Sequence, residues 1–98
     1  MAVNTSVSGD IVTIKIEGRF DFATHQDFQR AYKSHPRGEK QYVVDLSETD
    51  YMDSSAMGML LQLREHADNA KRIALNNGSE GIKEILRIAN FDKLFELA

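Results

Sequence analysis

Asp53, Ser54 and Ser55 stand directly before a run of methionine and leucine, in YMDSSAMGMLLQL from Tyr51 to Leu63. An acid and two hydroxyls at such a junction have three chemical uses. One of them can cap a helix, since Asp and Ser are favoured where the first backbone N–H groups lack partners. A serine can act as a nucleophile if a base lies within hydrogen-bond reach. A hydroxyl can also be displayed so that another protein reads or modifies it. Only one cap is needed, yet three candidates are present, so capping alone leaves two side chains unexplained.

The nucleophile reading requires a base, and the bases on offer are His25, His35 and His66. No G-x-S-x-G elbow surrounds Ser54. His66 lies twelve residues further along the same predicted helix, about 18 Å away at 1.5 Å per residue. His35 falls in the turn SHPRGEK, which leaves His25, on the first helix, as the one that could approach. The histidines read as surface groups, and the chain is expected not to be an enzyme. Pairs such as His25 with Asp21, or His66 with Glu65, lack metal-ligand spacing, and no cofactor motif is present.

The elements that must position Ser54 follow from the pattern. In IVTIKIEG, Val12, Ile14 and Ile16 alternate with Thr13, Lys15 and Glu17, the signature of a strand with one wet face. Turn chemistry in Ser8-Gly9-Asp10 makes residues 3–7 a hairpin partner. Thr24 followed by Asp27 resembles a capping signal, with a helix over about 24–34. QYVVDL, 41–46, reads as a strand buried on both faces, and SETDYMD as a polar loop. A helix is predicted from Ser54 to Asp68, and a short strand over Lys71 to Asn77. Beyond it, Ile82, Ile85, Leu86 and Ala89 have the i, i+3, i+4, i+7 spacing of an amphipathic helix starting near Ser79. Asn90 sits where a left-handed cap residue belongs, and FDKLFELA reads as a short final helix packing Phe91, Leu94, Phe95 and Leu97.

Strands alternating with helices imply parallel pairs, and the opening hairpin makes the sheet mixed. The fold class is α/β: a small mixed β-sheet, an initial hairpin plus parallel βαβ units, backed by helices. With 98 residues there is room for one core, so a single domain over 1–98 is expected. In such sheets functional groups gather beyond the carboxyl ends of the parallel strands, where Asp53, Ser54 and Ser55 would lie. Gly58, within the first turns of the helix, costs about 1 kcal/mol relative to Ala. Close backbone packing against the sheet or a partner would offset that. Met57 and Met59 beside it suit an adaptable binding surface, or the core.

Composition narrows the partners. The net charge is -3, with 12 Lys and Arg scattered among 15 Asp and Glu, so no basic stripe exists for a nucleic acid. There are no cysteines, and the apolar runs fall far short of the roughly 20 residues that span a bilayer. MAVNTSVSGD is not a signal peptide. A cytoplasmic protein without membrane insertion is expected.

Tyr51-Met52-Asp53-Ser54-Ser55-Ala56-Met57-Gly58-Met59-Leu60 closely resembles the signature of bacterial STAS domains, the anti-sigma factor antagonists: an aromatic or apolar residue, then Asp-Ser-Ser/Thr-Gly-x-Gly. Gly18-Arg19-Phe20-Asp21 is similar to the family's Gly-Glu-x-Asp turn, Tyr42 to Leu46 to its central strand, and Ile85 to Phe95 to its helix-loop-helix ending. The resemblance implies a regulatory switch. Ser54 would be the phospho-acceptor of a histidine-kinase-like serine kinase, and a PP2C-type phosphatase would reverse the reaction. Asp53, Ser55 and Asp21 would flank the site, with Met57 and Gly58 on the partner-binding surface. The unphosphorylated form would bind an anti-sigma factor or switch kinase and the phosphorylated form would release it. The alternative within the family is a constitutive accessory subunit of a membrane transporter ATPase, for example in lipid trafficking. A phosphate on a helix amino terminus is expected to be accommodated by backbone N–H groups and the helix dipole. Ala56 stands where the family usually has Gly, and is expected to narrow the space beside Ser54.

Overall fold

The computed structural model describes residues 3–68 and 73–98. Its five strands lie side by side in chain order: β1 (Val3–Ser8), β2 (Ile11–Phe20), β3 (Gln41–Met52), β4 (Ala74–Asn76) and β5 (Glu96–Leu97). β1 and β2 form the antiparallel hairpin, turning through Gly9 at φ +60, and every other neighbouring pair is parallel. The expected mixed α/β sheet is therefore the observed one.

Three helices connect the parallel strands: α1 (His25–Lys33), α2 (Ser54–His66) and α3 (Glu80–Ile88). Their apolar stripes meet one face of the sheet in a single core. Val12, Ile14 and Ile16 of β2 and Tyr42, Val44 and Leu46 of β3 are buried there against Phe28, Leu60, Leu63 and Leu86. The intervening strand residues, among them Ile11, Thr13, Lys15 and Val43, are only partly covered or exposed. β3 is thus buried on one face, not two. Val43 supplies a β-branched surface to the uncovered face, and the run QYVVDL looked continuous for that reason.

The region 47–52, expected as a polar loop, is strand. β3 continues to Met52 alongside β2, which itself runs on to Phe20. Alternation fails here because β3 carries two extra residues, one between the pairs Lys15–Asp45 and Glu17–Glu48, the other between Gly18–Thr49 and Arg19–Tyr51. Bulges of this kind re-aim side chains and increase twist. Gly18 takes φ +81 at the second one. Thr49 is held inside, its hydroxyl donating to the Ile16 carbonyl at 2.9 Å.

Other boundaries move for local reasons. Thr24 makes no side-chain cap; its hydroxyl donates to the Asp21 carbonyl at 2.7 Å, and a 3-10 turn over Phe22–Thr24 precedes α1. Asp27 pairs with Arg30 instead of capping. The helix after Ser54 ends at His66, two residues early. Lys71 and Arg72, expected to open the strand that ends in β4, lie outside the described residues. Ser79 caps α3 by accepting from the Ile82 N–H at 3.2 Å, and Asn90 is left-handed at φ 62, both as its sequence position implied. The final segment is not a helix: a 3-10 turn over Phe91–Lys93 leads into β5.

Candidate functional site

β2 and β3 end side by side, with Phe20 opposite Met52, both buried. Each is followed by an aspartate in extended conformation, Asp21 at φ -139 and Asp53 at φ -129. Each aspartate then caps the helical turn that leaves the sheet. Asp21 Oδ1 accepts from the Ala23 N–H at 3.0 Å. Asp53 Oδ1 accepts from the N–H groups of Ser55 at 3.0 Å and Ala56 at 3.2 Å. The parallel register therefore brings the two acids to one edge, a placement that their spacing of 32 positions in the chain does not reveal.

This resolves the surplus of cap candidates. Asp53 is the cap of α2, Ser55 is half-buried, and Ser54 is the first helical residue, exposed to solvent. Among the described residues the Ser54 hydroxyl takes no hydrogen bond. The capping carboxylate also corrects one expectation. Two of the first amides of α2 already bind Asp53, so they are not free to receive a phosphate on Ser54.

Ala56 is buried in the core and faces inward, so its methyl group does not crowd the surface beside Ser54 as expected. Met59 is core as well, and Met57 packs half-buried against it. Of the two expectations for Gly58, packing against the sheet or against a partner, the first is not what is found: the glycine is exposed, and a Cβ built on it would meet no heavy atom of the described residues within 4 Å beyond its own stretch of helix. Among the described residues no packing contact offsets its cost. Gly58→Ala is therefore expected to stabilise the domain by about 0.5–1 kcal/mol, read as a higher denaturation midpoint; a loss of stability would show that the backbone there is not helical as described.

Ser54, Gly58, Leu61 and Glu65 are all exposed and succeed one another at helical spacing, forming the outer stripe of α2. Leu61 keeps 43% of its surface exposed. Sequence reasoning did not single it out, because a leucine inside MLLQL reads as core until the inward face is known.

It also missed Arg19 and Tyr51, which face each other across β2 and β3. The Arg19 guanidinium lies 3.8 Å from the centre of the Tyr51 ring, and its Nε donates to Asp21 Oδ2 at 3.1 Å. The hydrogen bond to Asp21 raises the Arg19 pKa further above its ordinary value, so the group is a fixed cation. Only the strand character of 47–52 makes this pairing visible.

His35 and His66 lie elsewhere, and His25 opens α1 just after the turn that Asp21 caps. His66 Nε2 is 2.8 Å from the His35 carbonyl at the far end of α2, and His25 stacks on Phe22. No helix among the described residues is long and apolar enough to cross a membrane.

The family described as Mlab, STAS domain matches residues 3–97. The chain belongs to the STAS domain family. A STAS-domain containing protein of Pseudomonas aeruginosa (strain UCBPP-PA14) is 50% identical over 95 residues, covering 95% of this chain and 93% of that protein. Among solved structures, an anti-sigma-factor antagonist (STAS) domain protein from Planctomyces limnophilus superposes with a TM-score of 0.82 at 16% identity, over 100% of this chain and 90% of that one. The Bacillus cell fate determinant SpoIIAA in its phosphorylated form gives 0.69 at 19% identity, over 99% and 91%. At these identities the structures speak for the fold alone. The STAS domain described here thus has the fold of the anti-sigma factor antagonists, with its Asp-Ser-Ser segment at the start of α2.

Proposed function

We propose that this STAS domain is a cytoplasmic partner-switching protein, gated by reversible phosphorylation of Ser54. Unphosphorylated, it docks an anti-sigma factor or switch kinase through the outer stripe of α2. A serine kinase of the histidine-kinase-like ATPase type transfers the γ-phosphoryl group of ATP to the Ser54 oxygen, with loss of the hydroxyl proton and release of ADP. A PP2C-type phosphatase hydrolyses the ester with water. Asp21, Asp53 and Ser55 shape the acceptor's surroundings, and Met57 and Gly58 belong to the docking surface.

The observation that carries this reading is the division of labour at the head of α2. Asp53 performs the structural duty, and the neighbouring hydroxyl is left exposed and uncommitted. A serine needed only for stability would be spent on the cap. A hydroxyl at this place can gain or lose a charge of roughly -1.5 to -2 without disturbing the core. SpoIIAA, a protein of the same fold, has been solved in a phosphorylated form. An exposed apolar Leu61 one turn beyond Gly58 supplies contact area on the same stripe.

Phosphopeptide mass spectrometry on protein isolated from its own cells tests the reading. The peptide carrying Ser54 is expected in both phosphorylated and unmodified forms, with the ratio changing when the kinase or phosphatase is deleted. A peptide that is never modified, across growth phases and stresses, overturns the switch and leaves the constitutive transporter-subunit reading in its place.

A further inference from the structure

The acids that surround Ser54 raise an electrostatic problem for the proposed switch. Asp53 is the adjacent residue, and Asp21 follows the neighbouring strand end. A phosphate dianion beside two carboxylates is repelled by both. The helix amides that would ordinarily hold it are engaged, since Asp53 occupies those of Ser55 and Ala56. The dianion therefore requires a cation.

We propose that Arg19 is the phosphate receiver of this switch: on phosphorylation of Ser54, its guanidinium leaves Asp21 and pairs with the phosphoserine. The inference rests on Ser54 being the phospho-acceptor. Three observations carry it. Arg19 is placed at the rim by strand register, opposite Tyr51, three residues before Ser54. At the full reach of a chain, the three residues from Tyr51 to Ser54 span no more than about 11 Å, and Arg19 stands one strand spacing, about 5 Å, to the side; the long arginine side chain and the phosphoserine close that gap from its two ends. Next, the guanidinium is already oriented there. It rests on the Tyr51 ring at 3.8 Å and is bent toward the strand end by its bond to Asp21. A guanidinium stacked on a ring loses less conformational freedom when it takes a new anion. Last, its side chain is 63% exposed, and the bond to Asp21 engages Nε, not the paired Nη groups that grip a phosphate bidentately.

The exchange has a defined consequence. While Ser54 is unmodified, Arg19 neutralises Asp21 and the rim shows a cation stacked on an aromatic ring. Once Ser54 carries phosphate, Arg19 turns to it, and the Asp21 carboxylate loses its cation while it keeps the Ala23 N–H. The partner-facing edge then changes in two places from one modification: a new dianion at the head of α2 and an uncovered acid at the end of β2. Release of an acidic or apolar partner surface follows from both.

The test uses the full chain with phosphoserine installed at position 54 during translation, so that no natural kinase is required. Phosphorus NMR then follows the second ionisation of the phosphate with pH. Arg19→Ala is expected to raise that pKa by about 0.7 unit, the size expected for losing one paired cation about 4 Å away in a mostly aqueous setting. Arg19→Glu is expected to raise it further, and Arg30→Ala, on α1, to leave it unchanged. The Arg19 Nε–H signal is expected to shift across the same titration in the unsubstituted phosphoprotein. Identical phosphate titrations in all forms, or an Arg19 signal that stays fixed, overturns the proposal. Because the phosphate is supplied by design, this outcome is separate from whether cells phosphorylate Ser54, which the mass spectrometry decides.

Discussion

Ser54→Asp is expected to weaken capture of the anti-sigma factor or switch kinase by at least about thirty-fold, while Ser54→Ala stays within about three-fold of the unsubstituted protein. The size follows from the cost of leaving a charge unpaired in a desolvated contact, roughly 2–3 kcal/mol or more. The new carboxylate would stand next to Asp53 at the head of the exposed stripe formed with Gly58, Leu61 and Glu65. Alanine removes only a hydroxyl that has no partner among the described residues. The two variants separate binding from folding. An acid in the first turn of a helix is favourable by about 0.3–1 kcal/mol, and repulsion from the neighbouring Asp53 at this exposed site is of similar size, so the two offset and Ser54→Asp is expected to be about as stable in isolation as the unsubstituted chain. Calorimetric titration of the partner, beside urea denaturation of the variant alone, reads both quantities. Equal affinities for the two variants would remove charge from the mechanism. Lost affinity together with lost stability would mean that the head of α2 is built differently.

The parts of this site that were legible in the sequence are those whose local rule and tertiary role agree. Val12, Ile14 and Ile16 alternate because one face of β2 meets the helices, and those three residues are buried. Ile82 and Leu86 recur at helical spacing because α3 lays one stripe on the sheet, and both are in the core. Asp53, Ser54 and Ser55 were recognisable as the start of a helix because cap chemistry is written in a few adjacent residues. What was hidden depends on pairing between distant segments. Ser47, Glu48 and Asp50 are polar and exposed, as in a loop, yet their backbone lies in a strand held beside β2. Two bulges break the period of two, and the single inward polar residue, Thr49, is satisfied by a carbonyl 33 positions away. Nothing local announces that bond. With 47–52 taken as loop, Arg19 and Tyr51 had no reason to meet, and the cation at the rim went unseen. The exposure of Leu61 was hidden differently. A run such as MLLQL has no contrast along its length, so only the inward direction of Leu60 and Leu63 shows which leucine is left outside.

Phe95→Ala is expected to cost the domain about 3–5 kcal/mol, the range for truncating a buried aromatic residue, out of a total of roughly 5–10 for a chain of this size. The sequence spacing of Phe91, Leu94 and Phe95 is helical, and in one respect the chain obeys it: the Phe95 N–H donates to the Phe91 carbonyl at 2.8 Å. The turn does not propagate, because the sheet offers the next residues a better set of partners. Glu96 N–H donates to the Ile73 carbonyl at 2.8 Å and Ala98 N–H to that of Leu75 at 3.1 Å, while the Ala98 carbonyl accepts from Asn77 at 3.0 Å. Phe95 sits at the switch between these two regimes. It is fully buried, with its ring 5.2 Å from that of Phe91. Removing the ring would open a cavity and detach β5 from β4, exposing the edge of a short strand that has no other neighbour on that side. Ile88→Ala, at a site 74% exposed, is the matching control and is expected to stay within about 0.5 kcal/mol. Urea denaturation of the two variants decides the matter. A Phe95→Ala midpoint no lower than that of Ile88→Ala would show that the last strand is an appendage, and that the core closes without it.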